Sequence, residues 1–192
     1  MGDVEGVVLA AGLSSRSGRY KMTLPLGDRT VIEHCIAGMR GVVSRIVVVI
    51  GWQAARLQEL LARDEKVTCV LNERYRDGMS SSVRAGIAQV RASRFFLTPG
   101  DYPLVGPAVY ERMLGVQGDI VIPTAGGERG HPVLLRGALV PEILAQPADS
   151  SLRDYIEARG YVTIEVGDEA ILWDLDTPED YERLLAHYRQ SR

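Results

Sequence analysis

The stretch Ile46-Val47-Val48-Val49-Ile50 constrains this chain more than any other part of it. Five successive β-branched residues with no polar face read as a strand covered on both sides, which requires a sheet held between two layers. Similar apolar runs recur at 4–10, 67–71, 94–98 and 119–122, with later strand candidates at 132–136, 161–166 and 171–176. Helical patterns separate them. Thr30 and Glu33 have the spacing of a capping box, ahead of an apolar stripe of Val31, Ile32, Cys35, Ile36 and Met39. Further helices are expected at 54–61, 80–90 and 107–114. Thr177-Pro178-Glu179-Asp180 opens a last one, followed by Tyr181, Leu184, Leu185 and Tyr188 at helical spacing. Strands alternating with helices imply an α/β fold: a three-layer, Rossmann-like, mostly parallel sheet with helices on both faces. At 192 residues, without a linker, repeat or low-complexity tract, residues 1–192 are expected to form a single domain.

Composition narrows the function classes. A hydrophobic fraction of 46% suits a packed core and excludes a disordered chain. The formal charge of −3 and a pI near 5.7 argue against a nucleic-acid or anionic-membrane surface as partner. No apolar run approaches the roughly 18 residues of a membrane span. The opening Met1-Gly2-Asp3-Val4-Glu5 is acidic, unlike a secretory leader, so the expected location is the cytoplasm. Two cysteines are too few for a disulfide framework or a zinc site, and Cys35 and Cys69 read as small buried hydrophobes. Arginine outnumbers lysine 20 to two, which draws notice to Lys21 and Lys66; Lys66, after Asp64-Glu65, reads as a solvated charge.

In open α/β sheets ligands bind beyond the carboxyl ends of the strands. After the first strand comes Ala10-Ala11-Gly12-Leu13-Ser14-Ser15-Arg16-Ser17-Gly18-Arg19-Tyr20-Lys21. Small residues let a ligand approach the backbone, and Arg16, Arg19 and Lys21 supply positive charge suited to a polyphosphate. The segment lacks the Gly-Lys-Ser/Thr ending of a Walker A loop and the three glycines of a dinucleotide fingerprint. After the run at 94–98, Asp101 stands in a turn bounded by Gly100 and Pro103, as a turn former or as a ligand for a hard cation. In Trp173-Asp174-Leu175-Asp176, strand alternation would place Asp174 and Asp176 together; convergence of Asp176 with Asp101 would make a site for Mg²⁺. Asn72 and Gly78-Met79-Ser80-Ser81-Ser82 precede a helix, either holding a nucleoside or capping that helix. Gly126-Gly127-Glu128-Arg129-Gly130-His131-Pro132 is a loop before a strand; His34 and His187 lie in helical stretches and receive no role. No Ser-His-Asp or Cys-His set is evident.

Taken in order, these segments resemble the small nucleotidyltransferases related to molybdopterin guanylyl- and cytidylyltransferases, the cytidylyl branch in particular. The resemblance runs from Val7 to about Tyr181, through Ala10 to Arg16, Lys21-Met22 with Leu24-Pro25, Asn72 with Gly78 to Val83, Gly100-Asp101 with Pro103, Gly130-His131-Pro132, and Asp174 to Pro178. It implies a nucleotide-diphospho-sugar transferase-like fold and transfer of CMP from CTP to the terminal phosphate of molybdopterin, releasing pyrophosphate. Arg16, Lys21 and Asp101 would be catalytic. Ala10, Ala11, Gly12, Arg16, Lys21, Asn72, Gly78, Ser81 and Ser82 would bind the nucleotide, and His131 and Asp174 the acceptor. Asp101 and Asp176 would hold Mg²⁺, with Mn²⁺ as a substitute. A molybdoenzyme is the implied docking partner, with no nucleic acid or membrane. Guanylyl relatives tend to carry Gly at the position of Ala11, which implies CTP rather than GTP. Ser17 replaces a usual Met, and Glu128-Arg129 stands where a Pro is common. The alternatives are a related transferase using GTP or a sugar-phosphate acceptor, and a non-catalytic cofactor carrier.

Overall fold

The computed structural model describes residues 3–13 and 20–190. In chain order its elements are β1 (Val4–Ala10), β2 (Pro25–Leu26), β3 (Arg29–Thr30), α1 (Val31–Arg40), β4 (Arg45–Ile50), α2 (Ala54–Leu61) and β5 (Val67–Leu71). Then come α3 (Met79–Ile87), β6 (Arg94–Pro99), α4 (Pro107–Leu114), β7 (Ile120–Ala125), β8 (Glu128–Arg129) and β9 (Val133–Arg136). The last are α5 (Val140–Ala145), α6 (Leu152–Arg159), β10 (Val162–Glu165) and α7 (Pro178–Gln190).

The main sheet runs β10-β7-β9-β6-β1-β4-β5, with β8 added to β7. The block β6-β1-β4-β5 is parallel throughout, and so is the pair β10-β7. Between them β9 lies antiparallel to both β6 and β7.

Alternation along each strand builds two cores. Val8, Ile46, Val48 and Phe96 face α1, α2 and α4, while Val7, Leu9, Val47, Val49 and Phe95 face α3, α5 and α6. The expected coverage of β4 on both faces is thus realised, its last five residues all being buried. A third cluster of Leu26, Val31, Leu175 and Leu184 ties the β2–β3 hairpin to α7. The capping box forms: the Glu33 carboxylate accepts from the Thr30 amide at 2.8 Å and from its hydroxyl at 2.6 Å. Among the described residues no helix is long and apolar enough to cross a membrane.

Three sequence expectations need correction. Residues 171–176 are not a strand. Glu169–Leu172 forms a 3-10 turn begun by the Asp168 side chain, and residues 171–176 make single backbone bonds, His131 N–H to Ile171 O (2.9 Å) and Leu175 N–H to Asp101 O (3.1 Å), instead of a ladder. Cys69 is only half-buried because β5 is an edge strand, whereas Cys35 is fully enclosed. Lys66 is no idle charge: its ammonium donates to the carbonyls of Arg40 and Val43, both at 2.9 Å, and closes the end of α1.

Candidate active site

The carboxyl ends of β5, β4, β1 and β6 lie side by side. Their exits are joined by bonds from Asn72 N–H to Ile50 O (2.8 Å), Trp52 N–H to Ala11 O (3.2 Å) and Gly100 N–H to Leu9 O (2.9 Å). Because β9 is antiparallel, with Val133 opposite Leu97, its beginning arrives at this same edge and brings Gly130-His131-Pro132 with it. The close approach there needs glycine, since a Cβ on Gly130 would sit 2.3 Å from the Ile171 carbonyl oxygen.

Three elements far apart in sequence meet at this edge. Lys21 donates to Asp101 Oδ2, and to Asp176 Oδ1 at 3.0 Å. Asp101 is buried, and among the described residues its Oδ1 has no hydrogen-bond partner. Burial alone would lower the Lys21 pKa, but the charge of Asp101 and the bonds to Asp101 and Asp176 outweigh it, so the ammonium is held above its ordinary value. Asp174 is pushed up, first by burial and then by the charges of Asp101 and Asp176. Asp176 is set by the start of α7, where the Asp180 carboxylate accepts from the amides of Asp176 (3.2 Å) and Thr177 (2.9 Å).

Asp101 and Asp176 therefore converge on Lys21, whereas the strand alternation expected to place Asp174 beside Asp176 is absent. The pair suits a divalent cation, with the unpartnered Asp101 Oδ1 as an open ligand position. Among the described residues no group of three or more His, Cys, Asp and Glu side chains is arranged to hold a metal. Phosphate oxygens and water would have to complete the coordination, the habit of Mg²⁺.

At the end of β1, Ala10 and Ala11 are buried, Gly12 is exposed, and a Cβ on Gly12 would meet nothing within 4 Å. The Ala11 methyl turns inward: a Cβ on Gly51 would lie 2.9 Å from it and 2.7 Å from Tyr75 Cβ. Asn72 is committed to a brace, its amide donating to Ser81 Oγ (2.9 Å) and Ser82 Oγ (3.0 Å) and its oxygen accepting from Arg74 N–H (3.0 Å). Gly78 precedes the first turn of α3, to which Ser81 and Ser82 belong. Arg16, like Ser14, Ser15, Ser17, Gly18 and Arg19, lies outside the described residues.

Just before β9, the His131 ring meets Tyr102 edge-on with centroids 4.8 Å apart. Its Nδ1 is buried and has no partner among the described residues, and burial holds the imidazole pKa down at about 4, so it is neutral at pH 7. Sequence reasoning missed Trp52, which packs edge-on against Tyr20 at 5.3 Å, and Tyr75 and Tyr102. The position of each just after a strand or beside a recognised motif was the available signal.

The class follows from comparison. Residues 6–163 match the MobA-like NTP transferase domain, so the chain belongs to that family and is a nucleotidyltransferase. Over 99% of its length it is 29% identical to the molybdenum cofactor cytidylyltransferase of Escherichia coli (strain K12), covering 100% of that protein. It is also 30% identical to the nicotine blue oxidoreductase of Paenarthrobacter nicotinovorans, over 95% of this chain and 96% of that one. Among solved structures, the Rv0371C protein of Mycobacterium tuberculosis H37Rv in complex with manganese superposes with a TM-score of 0.79 at 27% identity, covering 96% of this chain and 98% of that chain. One fold thus carries relatives with differently named chemistries, so donor and acceptor have to be argued from this chain's own residues.

Proposed function

We propose that this chain transfers CMP from CTP to the terminal phosphate of molybdopterin, with release of pyrophosphate and dependence on Mg²⁺ or Mn²⁺. The observation that carries the reading is the Lys21 ammonium set against both Asp101 and Asp176, with Asp101 Oδ1 left open. The whole-length similarity to a molybdenum cofactor cytidylyltransferase supports it.

Asp101 and Asp176 would hold the cation. When bound, a divalent cation neutralises the phosphate oxygens and draws triphosphate and acceptor together. A phosphate oxygen of the acceptor attacks the α-phosphorus of CTP, and the bond to the β-phosphate oxygen breaks, pyrophosphate leaving with the electron pair. A phosphate monoester with a second pKa of about 6 is already ionised at neutral pH, so no general base is required. Lys21 stays protonated and counters charge on the leaving group, a role shared with Arg16. The backbone of Ala10, Ala11 and Gly12 receives the nucleotide, with Asn72, Gly78, Ser81 and Ser82 on its other side. His131 and Asp174 face the acceptor, and the product passes to a molybdoenzyme in the cytoplasm.

The test is pyrophosphate release with CTP or GTP, with Mg²⁺ or Mn²⁺, and with molybdopterin or sugar phosphates as acceptors. Release with CTP and molybdopterin is expected. Molybdopterin binding without any release would favour a carrier, and preference for GTP would sink the cytidylyl assignment. The buried Ala11 methyl packs towards Gly51, so Ala11→Gly acts on the nucleotide only by loosening that wall and is expected to relax the preference for CTP in a competition assay without reversing it, one methyl being worth only ~1–3 kcal/mol.

A further inference from the structure

Asp174 and Asp176 stand on the strip Trp173-Asp174-Leu175-Asp176, which belongs to no strand among the described residues. Its middle is pinned: Leu175 is buried in the third cluster, and its N–H donates to Asp101 O at 3.1 Å. Its two ends are met by α7. Asp180, Arg183 and His187 lie at i, i+3 and i+7 and so share one face of that helix. At one end Asp180 Oδ2 accepts from the amides of Asp176 (3.2 Å) and Thr177 (2.9 Å) and from the Thr177 hydroxyl (2.9 Å). At the other the Arg183 guanidinium lies over the Trp173 ring, 5.4 Å from its centroid, and the His187 ring meets Trp173 edge-on at 4.8 Å. One side chain joins the two ends, because Arg183 also donates to Asp180 Oδ1 at 3.1 Å.

We infer that Arg183 is a positioning residue for the cation: by tying Trp173 to Asp180 it fixes the strip at both ends and so sets where the Asp176 carboxylate stands opposite Asp101. The inference rests on the proposed metal-dependent transfer and adds a residue outside the carboxylate cluster. The need for such a tie follows from charge. Asp174 feels the charges of Asp101 and Asp176, so a strip free at its ends would relieve that repulsion by swinging its acids apart. A cation would then have to gather them again on binding. Outer groups that orient a metal's ligands commonly change its affinity by about 10–100-fold. Folding stability offers the contrast. Arg183 is 49% exposed and its i,i+3 pair with Asp180 is of a kind worth little to stability. Loss of Arg183 is therefore read in metal affinity and hardly at all in the melting temperature.

The experiment pairs metal binding with kinetics. The probe is Mn²⁺ alone, titrated into the full chain and counted by the EPR signal of the free ion; the variants are Arg183→Met, Asp180→Asn and the two together. Asp180→Asn keeps an oxygen for the Asp176 amide and gives up the ion pair with Arg183, so both single variants cut the same tie. Thermal melts establish that each is folded, and the exposed Arg183→Met keeps the test decisive if Asp180→Asn is not. Each single variant is expected to raise the Kd for Mn²⁺ about three- to tenfold, and the double variant no further than the worse single one, as for two groups acting as a unit. The Mg²⁺ concentration for half-maximal pyrophosphate release should rise by the same factor, with turnover at saturating Mg²⁺ within about twofold of the parent. A parent-like Kd in folded Arg183→Met would overturn the inference, as would effects that simply multiply in the double variant. A parent that takes up no Mn²⁺ would overturn it together with the cation site. Weakened Mn²⁺ binding in the variants, with no pyrophosphate released by the parent from CTP and molybdopterin, would keep the tie and sink the transfer reaction. Release by the parent, with variants whose Mn²⁺ binding and Mg²⁺ dependence are unmoved, would do the reverse.

Discussion

Two buried carboxylates stand at opposite ends of the β1–β6 pair. Glu5 lies near the amino edge, 4% exposed, and both its oxygens are used: Oε1 accepts from Arg45 at 3.0 Å, and Oε2 from the Arg91 amide at 2.8 Å. Asp101 lies at the carboxyl edge, 7% exposed, with Oδ2 on Lys21 and Oδ1 without a partner among the described residues. The same kind of group, equally buried, is a closed joint in one place and an open position in the other. Burial is tolerable for a carboxylate when its lone pairs are occupied, so an unoccupied one marks where the fold gives up stability for binding.

Substitutions at the two ends should separate function from stability. Asp101→Asn is expected to cut kcat by about 10²–10³-fold, comparable to losing an oxyanion-hole donor, with no loss of melting temperature. Lys21→Met should follow it in direction. Near-normal turnover of Asp101→Asn at saturating Mg²⁺ would erase the contrast. Glu5→Ala should do the opposite, destabilising by about 2–3 kcal/mol in urea unfolding while activity per folded molecule is kept. Lys66→Met removes two bonds at the end of α1 and should cost about 0.5–1 kcal/mol, again without touching turnover. A further effect concerns acid. The folded His131 pKa of about 4 lies below the ordinary 6.5, so between those values the unfolded chain binds the proton and stability falls as pH drops. His131→Gln should flatten that part of the Tm–pH curve, and an unchanged slope would refute the enclosed, neutral imidazole.

The sheet was legible where burial on both faces forced apolar runs, as in β1, β4 and β6. It was less so where elements are short or exposed. Helix α6 buries only Ile156 and α5 only Ile143, and β8 has two residues, so none of the three leaves a periodic signal. The segment 171–176 misled because a 3-10 turn leading into extended chain, pressed against a core, can bury residues at strand spacing: Ile171 and Leu175 are buried without any ladder. The carboxylate pair was readable because each acid follows an apolar run and stands in turn chemistry. The Lys66 bonds and the hold of Arg183 on Trp173 were not, since both depend on which segments meet in the fold.

The third cluster has a consequence for how the molecule comes into being. Lys21 precedes the β2–β3 hairpin, Asp176 precedes α7, and hairpin and helix are bound together by Leu26, Val31, Leu175 and Leu184, by the Tyr181 hydroxyl on Pro25 O, and by the Tyr188 hydroxyl on Asp28 at 2.7 Å. Chains are made and begin to fold from the amino end, so every strand of the sheet leaves the ribosome before α7 does. A nascent chain, or one shortened by a premature stop before Pro178, would hold its sheet and both large cores yet lack the helix that draws Asp176 up to Lys21. Chemistry in this protein is the last thing to be born.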